Sequence, residues 1–203
     1  MDRQTPAEEM FDKLEKVVEI EQTFEAQQEP LVKLEKEEKE VYGQIIELTM
    51  QDYDEIVRLS DEAITIVEKR KGHIDKERQS IQESKSEFNS ISEIIEKIEE
   101  SELKTQASSL YDLMHERYEV HEDLYQYYTE GLGYDTDLYN LLKNEELTVD
   151  QLEEQINKVN KAYEKVLLEN DKFNEKTDQY NKLKREFYNN AELNVQSNEQ
   201  EQQ

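Results

Sequence analysis

Apolar residues return along this chain in steps of three and four, with charged residues filling the positions between them. The pattern is plainest where Leu152, Ile156, Val159, Tyr163, Val166, Asn170, Phe173, Thr177 and Tyr180 alternate steps of four and three, the spacing of a supercoiled helical seam. A first segment carries Met10, Leu14, Val17, Phe24 and Leu31, then Val41, Ile45 and Leu48. A second carries Ile56, Leu59, Ala63 and Ile66, and later Phe88, Ile91, Ile95 and Ile98. In a third, Leu110, Met114, Tyr118, His121, Leu124, Tyr125 and Tyr128 fall within an arc of about 120° on a wheel of 100° per residue.

Start signals divide these segments. Thr5 can cap a helix with Pro6 at its first position and Glu8 completing a capping box. Thr49 with Asp52, stapled by Leu48 and Tyr53, and Thr148 with Gln151, stapled by Leu147 and Leu152, repeat the arrangement; a weaker start lies at Ser101. The spacing predicts helices over about 6–47, 50–99, 102–144 and 149–190. Helices of similar length joined by short turns pack as antiparallel neighbours. The expected fold is therefore all-α, an elongated antiparallel four-helix up-and-down bundle roughly 60 Å long. It forms a single domain over 1–190, with a disordered polar tail at 191–203.

Composition agrees with that class and narrows the partners. Only 4 Gly and 2 Pro occur in 203 residues, too few for the turns of a β-rich chain. Against 51 acidic residues stand 25 basic ones, a formal charge of -26. Such a surface repels nucleic acid and anionic headgroups, whose binding needs a positive stripe that releases counterions. No apolar run approaches the roughly 18 residues of a membrane span. MDRQTPAEEM lacks the basic and apolar regions of a signal peptide, so either the chain is cytosolic or an export segment has been trimmed from it.

Reflecting each helix through its turn places Pro30, Gly72 and the pair Gly131 and Gly133 at about one height, where helices are expected to bend or loosen. The one concentrated basic run, EKRKGHIDKER, lies at that height with Lys69, Arg70, Lys71, His73, Lys76 and Arg78, faced by Asn157 and Asn160. One reading is a waist where charged pairs fill poor packing. The other is a mid-bundle cleft for an anionic or sugar-like ligand, contacted by Arg70, His73, Tyr128 and Asn160. Beside it, LYQYYTEGLGYDTDLYNLL at 124–142 turns Tyr127 and Tyr134 away from the other tyrosines, as an outward aromatic platform if the helix runs through both glycines.

Motifs for chemistry are missing. There is no cysteine, no GxSxG, no phosphate-cradling glycine loop and no DxDxDG calcium loop. HERYEVH at 115–121 sets its histidines six residues apart, about 120° around a helix, where a zincin needs four. No catalytic residue, metal ligand or cofactor is expected.

With its tyrosine-bearing third helix and KFNEKTDQYNKLKREFYNN at 172–190, the chain resembles the YkyA-like family of cell-wall-binding lipoproteins of Gram-positive bacteria. That resemblance implies an exported protein held by a lipid on an N-terminal cysteine, absent from these residues. It implies a non-enzymatic envelope protein, extracytoplasmic at the cell surface, with peptidoglycan or an envelope protein as partner, and it supplies no site residues. The competing expectation is a cytosolic helical scaffold pairing with a protein partner.

Overall fold

The computed structural model describes residues 4–193, which form a four-helix bundle without strands among them. Of the tail expected at 191–203, Ala191 and Leu193 pack against the core at the end of the bundle, and residues 194–203 lie outside the described residues. The first rod is α1, Pro6–Glu25, followed by α2, Gln28–Ile46. A 3-10 turn, Met50–Asp52, leads into α3, Tyr53–Asn89, which α4, Ile91–Glu96, extends. The third and fourth rods are α5, Ser101–Leu142, and α6, Val149–Asn190. Capping boxes form at Thr5 with Glu8, Thr49 with Asp52 and Thr148 with Gln151, while α5 starts after Glu100 with no side-chain cap.

Two rods are interrupted, and each interruption has a local cause. The proline ring of residue 30 would collide with the carbonyl four residues earlier, at Ala26, and the chain turns at Ala26 and Gln27. Pro30 then sits in the first turn of α2, where its missing N–H removes no helical bond. Between α3 and α4, the Ser90 and Ser92 hydroxyls take the carbonyls of Glu87 and Asn89 at 2.8 and 3.0 Å, competing with the ladder. The glycines do not loosen anything: α3 runs unbroken through Gly72, and α5 through Gly131 and Gly133. At Gly131 a Cβ would come 3.0 Å from the Tyr163 ring, so glycine there permits close approach of α5 and α6.

Buried apolar residues form two clusters along the bundle. One, around Met10, Leu14, Phe88, Leu110, Met114 and Phe187, fills the end that holds the described N-terminus. The other, around Val41, Ile45, Leu59, Ala63, Tyr128 and Leu132, fills the far half. In the helix packing α1 and α2 lie on α3, α3 on α5, and α5 on α6. The fourth side, between the first rod and α6, is closed near the first cluster by rings. Phe11 meets Tyr188 at 5.0 Å, Phe24 meets Phe173 at 5.5 Å, and Tyr188 donates to Glu15 at 2.8 Å. Beyond Phe24 that side opens into a groove.

Candidate functional site

The stripe of α3 that faces the bundle runs Ala63, Val67, Arg70, Ile74, Glu77 and Ile81 in steps of four and three, and all six are buried. A seam position therefore carries Arg70 inward, away from the basic run to which it belongs in sequence. Its neighbours stay at the surface: Lys71 pairs with Asp75 at 2.5 Å, and Arg78 grips Glu122 through two bonds of 2.9 and 3.0 Å.

Arg70 binds three other helices. Its Nη1 donates to Glu38 of α2 at 2.5 Å and to Asp135 of α5 at 3.2 Å. Nε and Nη2 both donate to the Tyr128 hydroxyl, at 3.1 and 3.0 Å, and Nη2 also reaches Tyr163 of α6 at 3.1 Å. The tyrosine hydroxyls pass the network on. Tyr128 donates to Glu35 at 2.7 Å, Tyr139 to Glu38 at 3.0 Å, and Tyr163 to Asp135. Glu35 lies 3.6 Å from Arg70 Nη2, so one cation faces three carboxylates.

Burial opposes the Arg70 charge, but the surrounding Tyr163, Tyr128 and Glu38 outweigh it and the guanidinium stays firmly charged. Burial, then the charge of Glu38, lifts the Asp135 carboxyl to about 7 despite the bonds it receives. Two turns beyond Arg70 along the same stripe, Glu77 accepts from the Gln28 amide. Burial and the like charge of Glu35 push its carboxyl up to about 8.

Above this network lie two cavities of about 460 and 520 Å³, in the size range of ligand sites. The first is floored by Arg70, Tyr128, Asp135 and Tyr139 and walled by Ile156, Val159 and Tyr163. The second continues toward Phe24, Glu77, Arg117 and Thr177. Glu35, Tyr128, Val166 and Leu167 line both, so the two cavities form one groove between the first rod and α6.

A second buried arginine closes the groove toward the N-terminal end. Arg117 of α5 holds Glu21 of α1 through bonds of 3.0 and 2.8 Å and donates to Thr177 of α6 at 2.8 Å. Its guanidinium lies 4.5 Å from the centre of the Phe173 ring.

Of the residues expected at a cleft, Arg70, Tyr128 and Asn160 line the groove. His73 does not; its Nδ1 lies 2.7 Å from Gln27 Oε1, at the break between α1 and α2. Tyr127 and Tyr134 line neither cavity. Tyr127 packs on the margin of the core under the Lys165 ammonium, 5.2 Å from its ring centre, and Tyr134 donates to Glu130 at 3.0 Å. Glu35, Glu38, Glu77, Asp135, Tyr139 and Tyr163 belong to the site and were not singled out by charge or motif. Their signal is position: Glu38, Glu77 and Asp135 are carboxylates at inward steps of otherwise apolar stripes. Among the described residues, no group of three His, Cys, Asp or Glu side chains is placed to hold a metal ion.

The whole architecture recurs in a solved structure, a conserved protein of unknown function from Staphylococcus aureus, with a TM-score of 0.79. At 16% identity it covers 92% of this chain and 97% of its own, and it supports the fold alone. In sequence, a family model described as "Putative cell-wall binding lipoprotein" matches residues 5–190. The chain belongs to the YkyA family. A relative from Bacillus subtilis strain 168, named "Uncharacterized lipoprotein YkyA", is 36% identical over 192 residues, 95% of this chain and 86% of the relative. The YkyA descriptions speak of wall binding and of a lipoprotein, name no reaction, and do not favour the cytosolic adaptor. No described helix is long and apolar enough to cross a membrane.

Proposed function

We propose that this YkyA-family chain is a non-enzymatic, lipid-tethered protein of the outer cell surface, and that its groove binds peptidoglycan. The observation that carries this reading is the open fourth side of the bundle. A polymer needs a site it can enter from the side, and the groove offers an open channel walled by Ile156, Val159, Val166 and Leu167 over a tyrosine floor. Peptidoglycan suits it better than teichoic phosphate, because Arg70 is already answered by carboxylates and the surface carries -26.

The rod also acts as a spacer. About 30 residues of helix separate Thr5 from Glu35, so a tether at the N-terminal end would hold the groove about 45 Å from the membrane. Pull-down on purified peptidoglycan, with and without its teichoic acid, tests the reading. Retention is expected on both preparations and stronger on the stripped one. No retention on either would refute wall binding.

A further inference from the structure

The floor of the groove is chemically spent toward sugars. The Tyr128 hydroxyl is taken by Arg70 and Glu35, Tyr163 by Arg70 and Asp135, and Tyr139 by Glu38. A saccharide would find few free partners there. An anion fares worse, since the two cavities are lined by five glutamates and Asp135 against three cations, Lys39, Arg70 and Arg117, so that even with Glu77 protonated acidic groups outnumber the cations. Two of those cations are already paired with groove carboxylates.

One acidic residue, Glu35, lines both cavities and so marks where they join. Glu35 stands there with its side chain 43% exposed, the most accessible of the carboxylates around Arg70. Glu77, 3% exposed, lines the adjoining cavity, and no cation opposes the burial and like charge acting on it. Around this junction the groove is apolar and open: Val32 of α2 is 65% exposed and Leu167 of α6 is 66% exposed. A buried carboxyl, an accessible carboxylate and apolar lips together match an ammonium on an alkyl stem, which lays its methylenes on apolar surface and its charge on oxygen.

We propose that the groove reads a primary amine on a peptide, the side-chain ammonium of the peptidoglycan stem, seated between Glu35 and Glu77 with its methylenes on Val32 and Leu167. This rests on the wall-binding reading and specifies which part of the polymer is held. The probe is a synthetic stem pentapeptide, N-acetyl-L-Ala-γ-D-Glu-L-Lys-D-Ala-D-Ala, beside its Nε-acetylated form, titrated calorimetrically into the protein. Acetylating Nε should weaken binding about tenfold or more, the worth of a charge-assisted bond. Glu35→Gln should weaken the free-amine peptide similarly and leave the acetylated one unchanged, with circular dichroism verifying its fold.

Equal affinity for the two peptides, no binding of the free-amine peptide, or a Glu35→Gln protein indistinguishable from wild type would overturn the proposal. A parallel arm uses intact sacculi before and after amine acetylation. Retention unaffected by acetylation overturns the amine reading and leaves wall binding standing. Selective peptide binding without retention on sacculi supports the amine reading and removes the wall from it.

Discussion

Glu77 stays protonated at neutral pH, because burial and the neighbouring Glu35 hold its carboxyl at about 8. Its folded pKa lies above its unfolded value, so its contribution to stability is complete below about 4.5 and is lost as pH rises through about 8. Asp135, lifted to about 7, acts in the same direction. His121 acts oppositely: burial first, then Arg117, depress it to about 4, so its contribution is present above about 6.5 and is lost as pH falls toward 4. Thermal unfolding should therefore shift to lower temperature from pH 6 to pH 8, with Glu77 supplying a slope of up to about 1.4 kcal/mol per pH unit that levels off above about 8. Glu77→Gln keeps the oxygen that accepts from Gln28, and should flatten the curve and exceed wild type at pH 8.5. Parallel curves measured by circular dichroism would show that Glu77 is ionised throughout. Arg70 and Tyr128 could be picked out beforehand from the basic run and the tyrosine stretch. Glu38, Glu77 and Asp135 could not, since in a chain of 51 acidic residues a carboxylate reads as solvated surface unless its inward position is weighed.

At the scale of the helix, the two glycines of α5 differ in what surrounds them. Nothing lies within 4 Å of a Cβ at Gly133, so Gly133→Ala should stabilise by about 0.5–1 kcal/mol through helix propensity. A Cβ at Gly131 meets the Tyr163 ring, which is held by Arg70 and Asp135 and cannot swing away cheaply. Gly131→Ala should therefore destabilise by about 1 kcal/mol or more despite the same gain in propensity. Urea denaturation of the pair tests the sign, and equal stabilisation of both would mean that the α5–α6 contact is slack. Helix starts were legible because capping boxes are short-range chemistry. The breaks at Ala26–Gln27 and Ser90 carry no such local mark: the apolar steps continue across both, and Pro30 acts four residues upstream of itself. On α6 the periodic seam of Ile156, Val159 and Tyr163 is only half-buried, while Gln155, Ala162 and Glu169 are buried one position away. Periodicity finds the apolar face, but which neighbour covers it is decided by the other helices, and here one stretch faces an open groove.

Across the whole molecule, the all-α bundle could be read from periodicity and the scarcity of glycine and proline, while the open side could not, because it depends on how far α2 stands from α6. That opening separates two roles along one rod: ring packing and the Arg117–Glu21 pair near the N-terminal end, and an accessible groove beyond them. If the wall enters this groove, a bulky group on the groove lip must block its binding. The chain has no cysteine, so a single one can be introduced at Leu167, on the groove lip, or at Val149, an equally exposed site at the start of α6. Each is coupled to a bulky maleimide and passed over purified peptidoglycan. Labelled Leu167→Cys protein should lose retention while labelled Val149→Cys protein keeps it. Equal retention of the two labelled proteins would contradict a role for the groove in holding the wall.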